Sequence, residues 1–232
     1  MAVSDLLKPK WKHSVTSVRE VAVAQLDNQS SLAQIAINDP EPNIRETAAQ
    51  KLDDQAALAE VVRNASDPGV RRTVIIKITD QAVLAATARE DSEFLVRDAA
   101  TGRLDDQVIL AELARSDDNN VVRVSAVKGL TDLAVLADLA AKEAQGTVRE
   151  AAVARLAEQG AALQKVLAHV ARNDEQAIVR RLATENLSDA TVLKEIAAND
   201  EDPTVRNTAE WRLGAADLVP PREPEQTPPE QT

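Results

Sequence analysis

Cysteine and tyrosine are absent from the 232-residue chain, and its aromatic residues are Trp11, Phe94 and Trp211. Without cysteine the chain can form no disulfide, no thiolate metal site and no cysteine nucleophile. With so few aromatic residues, an interior has to be built from Ala, Val, Leu and Ile side chains. Strong turn formers are also scarce, with 6 Gly and 10 Pro, which argues against a β-sandwich or a β-barrel.

Long apolar runs are missing as well. No stretch approaches the roughly 18 apolar residues that a membrane span needs, and the N-terminus lacks the apolar run of a signal peptide. We therefore expect a soluble, cytoplasmic protein, in line with the lack of cysteine. The net charge of −11 opposes general attraction to nucleic acids or anionic lipids, so we expect neither a nucleic acid nor a membrane as partner.

The sequence is rich in internal repetition. The stretch "VRDAATGRLDDQVIL" (96–110) closely matches "IRETAAQKLDDQAAL" (44–58). Each repeat carries an arginine that follows Val or Ile, with a small or apolar residue three positions later and Leu or Ile seven positions later. These arginines recur every 26 residues, with one interval of 31; they are Arg19, Arg45, Arg71, Arg97, Arg123, Arg149, Arg180 and Arg206.

The spacing predicts two helices in each repeat. Positions −1, +3 and +7 relative to the arginine form one stripe on a helix, and apolar positions +13, +16 and +17 predict a shorter second helix. Asp or Asn at +9 is predicted to cap that second helix. In three repeats an acid is predicted to cap the arginine-bearing helix, and the proline after it to take the first helical position; these pairs are Glu41–Pro42, Asp67–Pro68 and Asp202–Pro203.

Helices of roughly 8–11 residues are marginal on their own, so they must stack on their neighbours. The predicted fold is therefore an all-α solenoid of about eight helix–turn–helix repeats. We expect an N-terminal segment over 1–16, the solenoid over 17–218, and a Pro/Glu-rich tail over 219–232 that buries too little apolar surface to fold.

An acid accompanies most of the arginines six residues upstream, at Asp39, Asp91, Asp117, Glu143, Asp174 and Asp200, whereas Ala65 takes the place of the acid before Arg71. Stacking should bring these acids and the arginines into a ladder along one edge. One interpretation is a row of arginines that binds anions. The other, which the regular presence of the acid favours, is a set of hydrogen-bonded ion pairs between repeats.

The segments "NDEDPTVRNTAEWRL" (199–213) and "NDPEPNIRETAAQKL" (38–52) resemble the second half of the HEAT repeat, and the resemblance covers about residues 17–218. It implies an armadillo-like helical scaffold, although ordinary HEAT units are longer than 26 residues. The shorter HEAT-like repeats of the phycobilin lyase group are nearer in length to the 31-residue unit. Leucine-rich-repeat-variant proteins share a similar rhythm, but their cysteine-bound cluster is impossible here.

A basic stripe is predicted six positions after the repeat arginine. Cations at these positions either stabilise the last helical turn or form a groove for an acidic partner. The candidate partner-binding residues are Lys51, Lys77, Arg103, Arg155 and Arg212.

Catalytic signatures are lacking: the two histidines, His13 and His169, are far apart and neither precedes Glu. There is no phosphate-binding or nucleophile motif, so we expect no catalytic residue, cofactor or metal. Trp11 and Trp211 are interpreted as end caps, and the segment 157–174, which holds the additional residues, as a weak binding candidate.

The sequence is best explained by a non-enzymatic scaffold that binds a protein or peptide. One alternative is a protein similar to the phycobilin lyases that handles a tetrapyrrole. The other is nucleic-acid binding through the basic stripe.

Overall fold

A computed structural model of the chain describes residues 8–158 and 164–217, which contain fifteen α-helices and no β-strand. The chain divides into two compact units between Asp132 and Leu133. The helices of the first unit are α1 (Thr16–Ala24), α2 (Gln29–Asn38), α3 (Pro42–Lys51), α4 (Gln55–Asn64), α5 (Pro68–Ile75), α6 (Gln81–Glu90), α7 (Phe94–Thr101), α8 (Gln107–Ser116) and α9 (Asn120–Gly129). Those of the second unit are α10 (Leu133–Lys142), α11 (Gly146–Ala157), α12 (Gln164–Asn173), α13 (Ala177–Glu185), α14 (Ala190–Asn199) and α15 (Pro203–Asp217).

In the first unit, the helices that carry the repeat arginines (the Arg helices) stack in the order α1, α3, α5, α7 and α9. The even-numbered second helices form another layer, in which α2 packs on α4 and α6 on α8. Each second helix also packs on the Arg helix that follows it. This arrangement confirms the predicted all-α helical-repeat fold.

The second unit follows the same plan. Its Arg helices α11, α13 and α15 stack in order, and α10, α12 and α14 form the layer behind them. The prediction of 8–11 residues per helix fits most helices, but α11 has 12 residues and α15 has 15. Residues 159–163, within the lengthened repeat, and the tail from 218 lie outside the described residues, so the predictions made for them are not addressed by the structure.

The buried core follows the predicted stripe. Val96 and Ala100 of α7 are fully buried and Leu104 is 6% exposed. The second apolar set is buried as well, as Leu110 and Leu113 of α8 illustrate. Because burial of a Val or Leu side chain contributes about 1.5–3 kcal/mol, stacking stabilises helices that are too short to persist alone.

The predicted N-caps are confirmed for five of the second helices. The Asp106 carboxylate accepts from the N–H groups of Val108 and Ile109 at 2.9 and 3.2 Å, and the same role is filled by Asn28, Asp54, Asp80 and Asp189.

The prolines Pro42, Pro68 and Pro203 begin their helices as predicted. Asp67 and Asp202 accept from backbone N–H groups in the first turn. The capping role predicted for Glu41 is wrong, because its side chain makes no capping bond. Shorter side chains are the ones that fit this geometry.

Candidate protein-binding surface

The repeat arginines and the acids form an arginine ladder in which five of the guanidinium groups bind the acid of the next repeat. Arg97 Nε donates to Asp117 Oδ2 at 2.8 Å, and Arg97 Nη2 donates to Asp117 Oδ1 at 2.9 Å. This fork-to-fork geometry is the strong form of an ion pair. The same bidentate pairing joins Arg19–Asp39, Arg71–Asp91, Arg149–Asp174 and Arg180–Asp200.

The third arm of each guanidinium is held by its own repeat. Arg97 Nη1 donates to the carbonyl of Asp91 at 2.9 Å, in the loop before its helix. The Asp117 carboxylate, 8% exposed, also accepts from the N–H of Asn119. Burial raises the pKa of the Asp117 carboxyl, but the hydrogen bonds from Arg97 and Asn119 outweigh burial and hold the pKa below its ordinary value. The ladder therefore holds a charged carboxylate between two stacked repeats.

The ladder departs from this pattern at Arg45. Because the next repeat has Ala65 in place of the acid, Arg45 Nη2 pairs instead with Asp67 Oδ2 at 2.6 Å. Arg45 Nε is buried without a hydrogen-bond partner. The predicted ladder positions Arg123 and Glu143 lie on either side of the division between the units.

The final repeat arginine, Arg206, follows the pattern only on its own side. Its Nη1 donates to the carbonyls of Asp200 and Glu201 at 2.6 and 3.0 Å. Among the residues that the structure describes, no acid pairs with its Nε–Nη2 edge.

A second inter-repeat link, the glutamine clamp, was missed by the sequence interpretation. Gln81 Nε2 donates to the carbonyl of Arg103 at 3.1 Å, while Gln81 Oε1 accepts from the N–H of Asp105 at 3.1 Å. The amide thus binds both a donor and an acceptor in the turn of the next repeat. Equivalent clamps are made by Gln29, Gln55, Gln107 and Gln164. The glutamine that directly follows the capping Asp in three of the repeats, at Gln55, Gln81 and Gln107, was the available signal.

The basic stripe is largely occupied with the backbone of the preceding repeat. Lys77 Nζ donates to the carbonyls of Gln50 and Leu52 at 2.6 and 2.8 Å, where α3 ends. Arg103 donates to the carbonyl of Ile78. Such contacts satisfy carbonyls that a helix end leaves unpaired.

Other members of the stripe behave in the same way or pair locally. Lys51 donates to the carbonyl of Ala24 and Arg212 to that of Leu187, whereas Arg155 pairs with Glu158. The geometry therefore accounts for the stripe without an acidic partner.

Exposed apolar side chains concentrate on one layer. Nine large hydrophobic side chains are exposed within the described ranges. Six of them lie on the outward side of the Arg helices, at positions −2, +2 or +5 from the repeat arginine; they are Val21, Ile76, Leu95 and Val121 in the first unit, and Ile178 and Trp211 in the second. We call this side the Arg-helix face. Leu95 and Val121 occupy the same position on α7 and α9, which pack against each other, and we refer to these two exposed side chains as the Leu95–Val121 patch.

In the second unit, the Arg-helix face carries an open groove of about 530 Å³ that is lined by Glu185, Asn186, Asn207, Thr208, Trp211 and Arg212. Trp211 is 65% exposed, so it does not cover the core as an end cap would. Trp11 differs: it is half-buried and lines a pocket together with Ile35, and Lys12 Nζ lies 4.5 Å from its ring centroid. That placement agrees with the end-cap interpretation for Trp11.

Across 8–158 and 164–217, no cluster of three His, Cys, Asp or Glu side chains could hold a metal ion. His13 Nδ1 accepts from the N–H of Val15, and His169 is exposed on α12. No helix in these ranges has both the length and the apolar character needed to cross a membrane.

The sequence was compared with protein-family models and with curated proteins. No protein-family model matches the chain, and a search of curated proteins finds no significant match. The resemblance to HEAT-type repeats therefore remains a hypothesis based on the sequence pattern.

Proposed function

We propose that the protein is a non-enzymatic scaffold that binds a protein or peptide partner through the Arg-helix face. The observation that carries this proposal is the segregation of exposed large apolar side chains within each unit: four of six lie on the Arg-helix face of the first unit and two of three on that of the second. Scattered apolar side chains are normal on any surface. Their concentration on one face of a regular stack is typical of an interaction site.

The polar groups of the repeats support the same conclusion by elimination. The ladder arginines bind acids, the glutamines bind backbone, and most of the basic stripe binds carbonyls. The two regular rows of cations, the ladder and the stripe, are therefore mostly engaged within the repeats. The Arg-helix face combines exposed apolar side chains with polar ones, which suits a partner that buries apolar surface within a polar rim.

The Leu95–Val121 patch is the point where binding energy should concentrate. The two side chains are 38% and 43% exposed, so they are partly supported by neighbouring atoms and still accessible. Burial of such partly exposed aliphatic groups at an interface contributes roughly 25 cal/mol for each Å² of apolar area. Loss of both side chains should therefore weaken a partner that docks there.

Neither alternative gains support from a specific observation. Tetrapyrrole handling has no residue that favours it. Nucleic-acid binding would have to use a basic stripe whose donors are already engaged with carbonyls.

The test is capture of partners from native lysate with three baits. These are the full chain, the Leu95→Asp/Val121→Asp variant, and the control Val108→Asp. Val108 is 76% exposed but lies on α8, in the other layer, so its substitution introduces a similar charge away from the proposed face. We expect a partner that is retained by the control and lost by the double variant. A partner retained by all three baits would contradict the proposal.

A further inference from the structure

A basic segment, residues 8–13, precedes the first repeat. Its sequence, "KPKWKH", holds three lysines, a tryptophan and a histidine, and no Asp or Glu occurs from residue 6 to residue 19. All three lysines are exposed. This local positive charge stands out in a chain whose net charge is −11, and a charged patch of this kind attracts partners of the opposite sign.

The basic segment is held in a defined conformation against the first repeat. It contains a short 3₁₀ helix, Lys10–Lys12, which ends where the N–H of His13 donates to the carbonyl of Lys10 at 3.2 Å. Arg19 Nη1 donates to the carbonyl of His13 at 3.1 Å and so attaches the segment to α1. Because the fold already orders this part of the backbone, a ligand that binds there loses less conformational entropy.

A groove of about 450 Å³ opens beside the basic segment. Trp11, which is half-buried, and Ile35 of α2 contribute apolar surface to it, whereas Lys12 and Gln34 contribute polar groups. The volume falls within the range of roughly 300–1,000 Å³ that is typical of ligand sites. The groove therefore combines an apolar wall with a cation.

The carboxylate that borders the groove is already paired. Asp39 is the one acid among the residues that line it, and both oxygens of its carboxylate accept from Arg19, at 2.9 and 3.1 Å. In most later repeats the position six residues before the repeat arginine holds an acid, whereas His13 takes that position before Arg19. Positive charge is therefore in excess around the groove.

We propose that the basic segment and its groove form a docking site for an acidic segment of a partner protein. Carboxylates of the partner pair with Lys10 and Lys12, and a neighbouring apolar side chain packs against the Trp11 ring. This site is separate from the Arg-helix face and does not depend on the role proposed for that face.

Charge favours an acidic peptide over a larger polyanion. A nucleic acid or an anionic bilayer presents dense charge over a long distance, so it also meets the repulsion of the acidic remainder of the chain. A peptide with a few carboxylates covers the basic segment alone.

The test is a titration of the full chain into a fluorescein-labelled synthetic peptide rich in glutamate and leucine. Fluorescence anisotropy gives the dissociation constant for the unmodified chain, for Lys10→Gln/Lys12→Gln, and for the control Lys165→Gln/Lys194→Gln. The control removes two exposed cations from α12 and α14, so both variants change the net charge equally. We expect the first variant to bind about fivefold more weakly, the effect of two exposed ion pairs, and the control to bind like the unmodified chain.

The emission of Trp11 shows where the peptide binds. In a Trp211→Phe variant Trp11 is the only tryptophan, and we expect the unlabelled peptide to shift its emission to shorter wavelength by covering the indole. The proposal is overturned if the peptide does not bind, if both double variants bind it equally, or if it binds without changing Trp11 emission. It is also overturned if phosphatidylserine vesicles or a DNA oligonucleotide bind the segment more tightly than the peptide does, since a membrane or a nucleic acid would then be the partner.

Discussion

Removal of one ladder arginine should leave a buried carboxylate without its ion-pair partner. The resulting loss in the free energy of unfolding should depend on pH. In the variant Arg97→Met, the apolar stem is largely preserved but Asp117 loses both hydrogen bonds from the guanidinium. Its carboxylate keeps the N–H of Asn119 and stays in a site that is 8% exposed. Breaking a buried pair by removing one partner costs about 3–5 kcal/mol.

The loss of stability in Arg97→Met has an upper limit, because the unpaired Asp117 can become neutral. It can take up a proton, which at pH 7 costs about 4 kcal/mol for an aspartate of ordinary pKa. The free energy of unfolding should therefore fall by about 3–4 kcal/mol at pH 7. Near pH 4 protonation costs almost nothing, so the loss should shrink to about 1 kcal/mol, the value of the bond from Arg97 to the Asp91 carbonyl.

The direction of this pH dependence follows from the pKa of Asp117 in the native protein and in the variant. In the native protein the pKa of Asp117 is lowered, so the stability it contributes is present above the pKa of the unfolded chain and is lost as pH falls through the lowered value. In the variant, burial is the main remaining influence and raises that pKa. Acidification therefore reduces the difference in free energy of unfolding between the native protein and Arg97→Met.

Urea unfolding followed by far-UV circular dichroism at pH 7 and pH 4 measures this gap. Arg206→Met is the matched control, because no described acid pairs with Arg206; its cost should stay near or below about 1 kcal/mol at both pH values. The double variant Arg97→Met/Asp117→Leu should recover most of the loss. An equal cost at both pH values, or a double variant no better than the single one, would refute the reasoning.

Three further predictions concern the other links between repeats. Ala65→Asp should raise the free energy of unfolding by about 1 kcal/mol, because the new carboxylate can accept from the unpartnered Arg45 Nε; a lower urea midpoint would contradict this. Gln81→Ala should cost about 0.5–1.5 kcal/mol, because it leaves a carbonyl and an N–H of the next turn without the amide. Lys77→Met should lower the melting temperature, whereas Lys128→Met, at an exposed position on α9, should leave it unchanged.

The sequence predicted the parts of this fold that are visible as a repeated residue type. The helix pairs follow from a stripe that recurs every 26 residues, and the N-caps from Asp or Asn at a fixed offset. The joint presence of an acid and an arginine favoured inter-repeat pairs, and the structure brings five such pairs together. Arg45 differs because Asp67, two positions beyond Ala65, reaches the guanidinium.

Other features of the structure could not be predicted, because the groups that they bind cannot be recognised in the sequence. The glutamine clamp binds backbone N–H and C=O groups, which every residue except proline provides. The role of the basic stripe was undecided for the same reason, since carbonyl acceptors are invisible in a sequence. No single residue type recurs from repeat to repeat on the Arg-helix face. This face can therefore be recognised only when the packed sides of the helices are known.

The glutamine clamp has a consequence for how such a chain can change. Because the amide binds main-chain atoms, the residue that supplies the carbonyl is free to vary, and it is indeed Lys51, Lys77, Arg103, Gly129 or Asn186. A duplicated repeat therefore carries the glutamine that links it to the next repeat. This link needs no compensating mutation in the neighbouring repeat. The array can lengthen by duplication while its outer positions diversify, so the same scaffold can acquire new surfaces one unit at a time.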